Sequence, residues 1–489
     1  MTASSIRPPP SDDHSAGDAP LRDRRIDAML HGPVAPTLAR LAWPNLLMMV
    51  AQSSTGLVET WFLSRLGTDA LAGAALVIPV LMLMQNMSQG AMGGGISAAV
   101  SRALGAGRLQ QANDLARHAV ALNGALGAVF SILLLVFGPT LYRALGGRDR
   151  ALDAALAYSN VIAAGLVLPW TMNALASVIR GTGNMVVPGL VICGGALLLV
   201  PLSPCLIFGI GPFPRLGIAG AGWALLGYYG GGAAILAWYC RSGRSVVRPR
   251  RGPLHWPLAA DILRVGGLAT LNPLLTNGLV AATTARVGGY AGTAALAGYG
   301  TAARLEYLMI PLAFGLGAPL VAMVGANLGA GQRQRALRIA LCGAAMAFAL
   351  CEPVGLAAAF APHAWLRLFT TDPEALAAGS AYLRRVGPCF GLFGVGFTLY
   401  FASQGARRLR WPLVAGATRV AIAVGGGWLV LRATASLTAF FDVSAVAMVV
   451  FGTMILATVA SGAWFERGAV ERRWWREPSS TFLSNLERR

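Results

Sequence analysis

Three carboxylates interrupt long apolar stretches of the chain: Glu59 in "MMVAQSSTGLVETWFLSRLG" (Met48–Gly67), Glu306 in "GTAARLEYLMIPL" and Glu352 in "LCEPVG". An ionisable group in such a stretch is costly to charge and marks a functional site by default. The chemistry that Glu59 supports is exchange. A carboxyl there holds a proton when poorly hydrated, gives it up when water arrives, and attracts a cation once charged. It falls near the end of its stretch, roughly 8–10 Å inside at 1.5 Å rise per residue. The competing reading is a structural hydrogen bond or ion pair, with Arg65 at hand. Glu306 also has two readings. With Tyr307 it lines a cavity wall that attracts cations, or it partners an arginine of a neighbouring helix, such as Arg419. Arg304 stands two residues away and points to another side of a helix. Glu352 precedes Pro353 and is read chiefly as serving a bend or meeting another polar group. Gln52, Asn86, Gln89, Asn173, Asn272 and Asn277 supply hydrogen bonds to a wet cavity, although each alone is also ordinary glue between helices. Met82, Met84 and Met87, with Trp61 and Phe62, offer an adaptable apolar surface or plain core.

The elements that carry these residues follow from composition. Of 489 residues, 55% are hydrophobic and 12% charged, and mean hydropathy is +0.60. Apolar runs of about twenty residues recur from Leu41 to Trp464, each long enough to cross a bilayer. The expected class is all-α, a polytopic membrane protein rather than a soluble enzyme. The net charge is +19, with arginine supplying all 39 basic residues. They cluster in short loops and tails, which fits the positive-inside rule better than nucleic-acid binding. Six cysteines without a CxxC pair and five scattered histidines give no support for disulfides, zinc or haem. No signal peptide is expected, because Arg24-Arg25 lacks a following apolar region with a cleavage site.

Landmarks repeat at one spacing. "ALAG" at Ala70 returns 225 residues on, "LGAG" at Leu104 returns 224 on, Tyr158 maps to Tyr382, and Pro188 maps to Pro412. Ordered recurrence over more than a hundred residues indicates a duplicated unit. The expectation is about twelve transmembrane helices in two six-helix pseudo-symmetric lobes. Residues 1–33 are expected to form a disordered cytoplasmic tail and 34–240 the N-terminal lobe. A basic cytoplasmic linker follows at 241–260, then the C-terminal lobe at 261–466 and a basic aromatic cytoplasmic tail at 467–489. An even span count puts both termini on one side. Loops on that side carry 15 arginines, Arg180 among them, against 10 opposite, which places both termini in the cytoplasm. "GAMGGG" (Gly90–Gly95) lies within an apolar run and is read as a packing or bending element, not a phosphate loop.

The segments "VETWFLSRLGTDALAG", "AAVSRALGAGRLQQA", "RGTGNMVVP" and "GIAGAGWA", with "AALAGYGTAARLEYLMIPLAFGLGAPLVAMVGANLGAGQ" in the second half, resemble the multidrug and toxic compound extrusion (MATE) family over roughly residues 37–465. The resemblance implies two six-helix bundles forming a V. It also implies alternating access and export of bulky, often cationic compounds in exchange for H⁺ or Na⁺, at a bacterial inner membrane. Glu59 fills the family's common first-helix aspartate position. Other carboxylates common in the family are absent: Ser203 stands late in the fifth helix, and Asn272 and Asn277 are the polar residues on the seventh. The reading is a secondary transporter acting as a monomer, with no cofactor beyond the coupling ion, the proton preferred. Its partners are small organic cations and the lipid bilayer, with no nucleic acid. The alternatives are a flippase for lipid-linked sugars, whose anionic cargo calls for a more cationic cavity, an integral membrane enzyme, and a passive channel.

Overall fold

The computed structural model describes residues 19–249 and 252–462, and among them every regular element is helical. The aromatic tail expected at 467–489 lies outside the described residues. A short helix, α1 (Ala19–His31), precedes the first span, α2 (Val34–Ser64). The second span comprises α3 (Thr68–Gln85), a π-helical turn (Asn86–Met92) and α4 (Gly93–Gly105). The third is α5 (Leu109–Ala144), and the fourth is bent by 51° between α6 (Asp149–Ala164) and α7 (Val167–Gly181). α8 (Val186–Phe208) and α9 (Ile218–Arg241) complete the first six.

The second six begin with α10 (Trp256–Ala269), which runs into α11 (Leu271–Gly329). This stretch is far too long for one crossing. It breaks at Gly292, whose φ of 81° only glycine adopts readily, so it supplies two spans. α12 (Arg333–Phe360), a short α13 (Pro362–Leu366), and α14 (Pro373–Val386) with α15 (Phe390–Gly405) follow. The last two spans are α16 (Arg410–Val420) with α17 (Gly427–Thr434), and α18 (Leu437–Ala460). Among the described residues these make twelve helical stretches, and all but α9 are long and apolar enough to cross a membrane, the bent α6–α7 pair counted as one and the Trp256–Gly329 stretch, broken at Gly292, as two.

The two halves meet closely near the chain termini. Gly105 lies so near α11 that a Cβ would fall 2.0 Å from the Ala326 carbonyl oxygen, and one on Gly95 would fall 2.7 Å from the backbone nitrogen of Gly266. Within the "GAMGGG" stretch, Gly95 packs on backbone of α10, while Gly93 and Gly94 face the side chains of Ser177 and Gln404. The first parts of α2 and α10 also reach across. α10 packs chiefly on α4, the π turn and α5, whereas α2 packs on α11 as well as α8. Asn45 of α2 donates to the carbonyls of Phe314 and Gly315 in α11, both at 3.2 Å.

Two expectations change. Residues 19–31, assigned to a disordered tail, form α1. Its polarity suggested disorder, but Met29 is buried to 1% exposure among residues of both halves. Asn327 donates to the Met29 carbonyl at 2.9 Å, and Arg335 donates to that of Gly32. The basic linker expected at 241–260 ends at Trp256, where α10 begins, and it is fastened to α5. Arg117 donates to the Pro253 carbonyl at 2.6 Å, and the Arg248 amide donates to Asn113 at 2.7 Å.

Candidate functional site

Glu59 sits on the last third of α2, half-buried, where α2 faces α6 and α9. The Tyr158 hydroxyl of α6 donates to its carboxylate at 3.5 Å, the long limit of a hydrogen bond. Tyr229 of α9 lies nearby, its ring 4.8 Å from that of Tyr228. No cation pairs with Glu59 among the described residues. Arg65 instead stacks on Trp61, 4.6 Å from the ring centre. The ion pair entertained for Glu59 and Arg65 is therefore absent from this structure. Gln52, half-buried on the same helix, faces the Tyr228 hydroxyl.

Glu306 is placed differently. It accepts from Arg419 of α16 at 2.8 Å and from the Tyr382 hydroxyl at 2.5 Å. The Arg419 guanidinium also lies over the rings of Phe393 (4.8 Å) and Phe451 (5.6 Å). A cavity of about 40 Å³ surrounds the pair, lined also by Thr283, Tyr299, Tyr307 and Ser444. That is room for a few waters. Glu306 is thus held by the arginine of a neighbouring helix, and its wall carries no uncompensated charge.

The polar residues of the first half divide. Asn173 donates to Gln85 at 3.3 Å and to Ser88 at 3.1 Å, and Gln85 donates to Gln89 at 2.9 Å. This network sits at the π turn, whose widened helix re-aims Gln85 and Ser88 toward α7. Asn86 is exposed and takes no part in it among the described residues. Asn272 is buried on α11 beside Gly416, while Asn277 is exposed and donates to Pro273 on its own helix at 2.8 Å. Glu352 accepts the Gly391 amide at 2.8 Å, satisfying an open donor in the first turn of α15. Its role is a cap supplied from another helix.

One residue escaped the sequence reading altogether. Arg180, counted there as a loop arginine, is buried to 3% exposure between the halves. It borders a cavity of about 10 Å³ with Gln89, Ser97, Ser177 and Phe401. Its Nη2 is fully enclosed without a partner. The signal available was its place at the end of an apolar run, three residues before Gly183, which also fits an ordinary loop arginine.

Two related halves of long apolar helices, with carboxylates, arginines and tyrosines turned inward, have the build of a membrane transporter. The MatE family profile matches residues 44–205 and 269–429. The chain therefore belongs to the MatE family, that of the multidrug and toxic compound extrusion transporters. It is 28% identical over 380 residues to a FAD transporter of Shewanella oneidensis, which covers 77% of this chain and 82% of the relative. It is 25% identical over 386 residues to the probable multidrug resistance protein NorM of Thermotoga maritima, covering 77% and 81%. A crystal structure of MATE in complex with MaD3S superposes with a TM-score of 0.82 at 23% identity, covering 89% of this chain and 98% of that one.

Proposed function

We propose that the chain is a secondary exporter that moves organic cations outward in exchange for H⁺, with Glu59 carrying both the proton and the attraction for substrate. The observation that supports this reading is the contrast between an inward carboxylate with no cation beside it, Glu59, and one that is already neutralised, Glu306. A carboxyl of the first kind changes charge when its hydration changes, so proton and cationic substrate exclude each other there. The halves pack against each other near the termini, which fits a state open toward the opposite face. Arginine bias supports termini on the cytoplasmic side, and the family resemblance supports a bacterial inner membrane. Na⁺ is the less favoured ion because it takes several oxygen ligands, and among the described residues Tyr158 and Tyr229 are the polar neighbours of Glu59 that stand out.

The test is efflux from everted membrane vesicles with pH and Na⁺ gradients applied separately, comparing wild type with Glu59→Gln. Loss of efflux driven by the pH gradient is expected; export by Glu59→Gln equal to wild type under both gradients overturns the assignment.

A second reading rests on Arg180. A buried arginine whose Nη2 has no partner would suit cargo with an anionic part, and the similarity to a FAD transporter points the same way. FAD supplied to the same vesicles separates the readings: FAD uptake that survives Glu59→Gln and fails in Arg180→Gln favours anionic cargo.

A further inference from the structure

A cavity of about 600 Å³ opens between the halves at the face that carries the termini. Its charged wall is Arg102 at the end of α4, Arg108 before α5, Asp261 and Arg264 on α10, and Arg407 in the turn before α16. Asp261 takes Arg102 at 3.2 Å and Arg407 at 3.1 Å, so one carboxylate answers two arginines. Arg102 also donates to the Gly405 carbonyl at 3.3 Å. Arg108 and Arg264 are exposed, and no side-chain partner engages either among the described residues. Leu115 and Leu258 add an apolar wall.

The duplication shows what this space is. Its counterpart in the other half is filled. Met29 of α1 lies there, about 3.0 Å from where a Cβ of Gly183 would stand, with its carbonyl held by Asn327. Shifted by the repeat spacing of 224, Gly183 becomes Arg407 and Asn327 becomes Ala103, and both line the cavity. The segment equivalent to α1 is residues 243–255, and of its described residues Arg248 and Pro253 are fastened to α5. Arg407 also adopts φ 58°, a left-handed conformation that its counterpart Gly183 (φ 78°) takes without strain. A glycine position has been given to an arginine despite that strain, and the arginine faces the cavity. Trp256, next to the lining residue Pro257, and Trp411, four residues after Arg407, are 72% and 47% exposed, as residues at the level of lipid headgroups often are.

We propose that this cavity binds a phosphate-bearing anion, with an anionic phospholipid headgroup as its source, and that the occupant ties the two halves together where α1 ties them on the other side. Arginine forks suit phosphate oxygens, and Leu115 and Leu258 suit the start of an acyl chain. The site is separate from the Glu59 region and does not depend on which cargo is exported.

The test uses the full chain in a neutral detergent, with phosphatidylglycerol, phosphatidylcholine and inorganic phosphate as three separate additions. Retained lipid is read by native mass spectrometry and protection by the thermal unfolding midpoint. Phosphatidylglycerol is expected to bind and raise the midpoint above phosphatidylcholine. Arg108→Gln/Arg264→Gln is expected to weaken that binding about tenfold or more, since each arginine attracts anionic lipid. Gln111→Glu, which turns a lining residue acidic, should do the same without removing an arginine. Protection by inorganic phosphate that is lost in the same variants upholds the phosphate chemistry and assigns it a soluble source. Equal binding of phosphatidylglycerol and phosphatidylcholine, or variants that bind as wild type does, overturns the proposal.

Discussion

The two halves treat the same tyrosine differently. Tyr158 and Tyr382 are repeat equivalents, and each donates to a carboxylate inside its own bundle. The carboxylates are not equivalents: Glu59 comes from the first helix of its half, Glu306 from the second. The position equivalent to Glu59 is Thr283, and that equivalent to Glu306 is Met82. Arg419 has no counterpart either. Its equivalent is Gly195, where the Tyr228 ring packs so closely that a Cβ would fall 2.5 Å from it. One half therefore holds a carboxylate among tyrosines and the other a carboxylate locked to an arginine. Duplication preserved the hydroxyl and let the charges diverge, so one half carries a carboxyl with no cation beside it among the described residues and the other a fixed pair.

The largest expected effect tests the half that holds Glu59. Glu59→Gln should reduce proton-driven efflux to background while leaving the unfolding midpoint near wild type, because no ion pair is lost. Glu59→Asp, with the shorter side chain, should retain partial efflux; full inactivity of Glu59→Asp in a folded protein would show that geometry matters beyond charge. The fixed pair answers in stability. Arg419→Leu leaves the partly buried Glu306 uncompensated and should cost about 3 kcal/mol, measured by chemical unfolding in detergent. Removing both charges in Arg419→Leu/Glu306→Gln should recover most of that loss. If Arg419→Leu is as stable as wild type, the pair is not what distinguishes this half. The tyrosines sharpen the contrast further. Tyr382→Phe removes a short bond to a charged acceptor and should cost about 1.5–3 kcal/mol. Tyr158→Phe removes one at the distance limit and should cost under about 0.5 kcal/mol. The smallest effect belongs to Arg65→Gln, whose efflux should match wild type, since Arg65 rests on Trp61 and not on Glu59. A clear loss of efflux in Arg65→Gln would reopen the ion-pair reading of Glu59.

Much of the architecture was readable because it is written in hydropathy and recurrence. The twelve spans and the duplication needed only runs of apolar residues and the 224-residue spacing. Pairings across the molecule were not readable in the same way. Glu306 and Arg419 lie 113 residues apart, and sequence offered Arg419 as one option without geometry to select it. Arg180 was misassigned because loop arginines and buried arginines at helix ends look alike in one dimension. Its burial depends on how the two halves meet. Helix α1 was missed for a related reason. Local composition around Asp27 and His31 is polar, and the helix is held by one inserted methionine and by carbonyls that receive Asn327 and Arg335. Asn86 and Asn173 looked alike as candidates, yet the π turn exposes one and leaves the other at the centre of a polar network.

The anchoring of α1 is lopsided. Toward α11 and α12 it is held by directional bonds from Asn327 and Arg335, and toward the α7–α8 turn by the greasy contact of Met29 with Gly183. A slippery contact shears more readily than a pair of oriented bonds. When the bundles part at this face, α1 should travel with the C-terminal bundle as its passenger and uncover Gly183 and the turn around it.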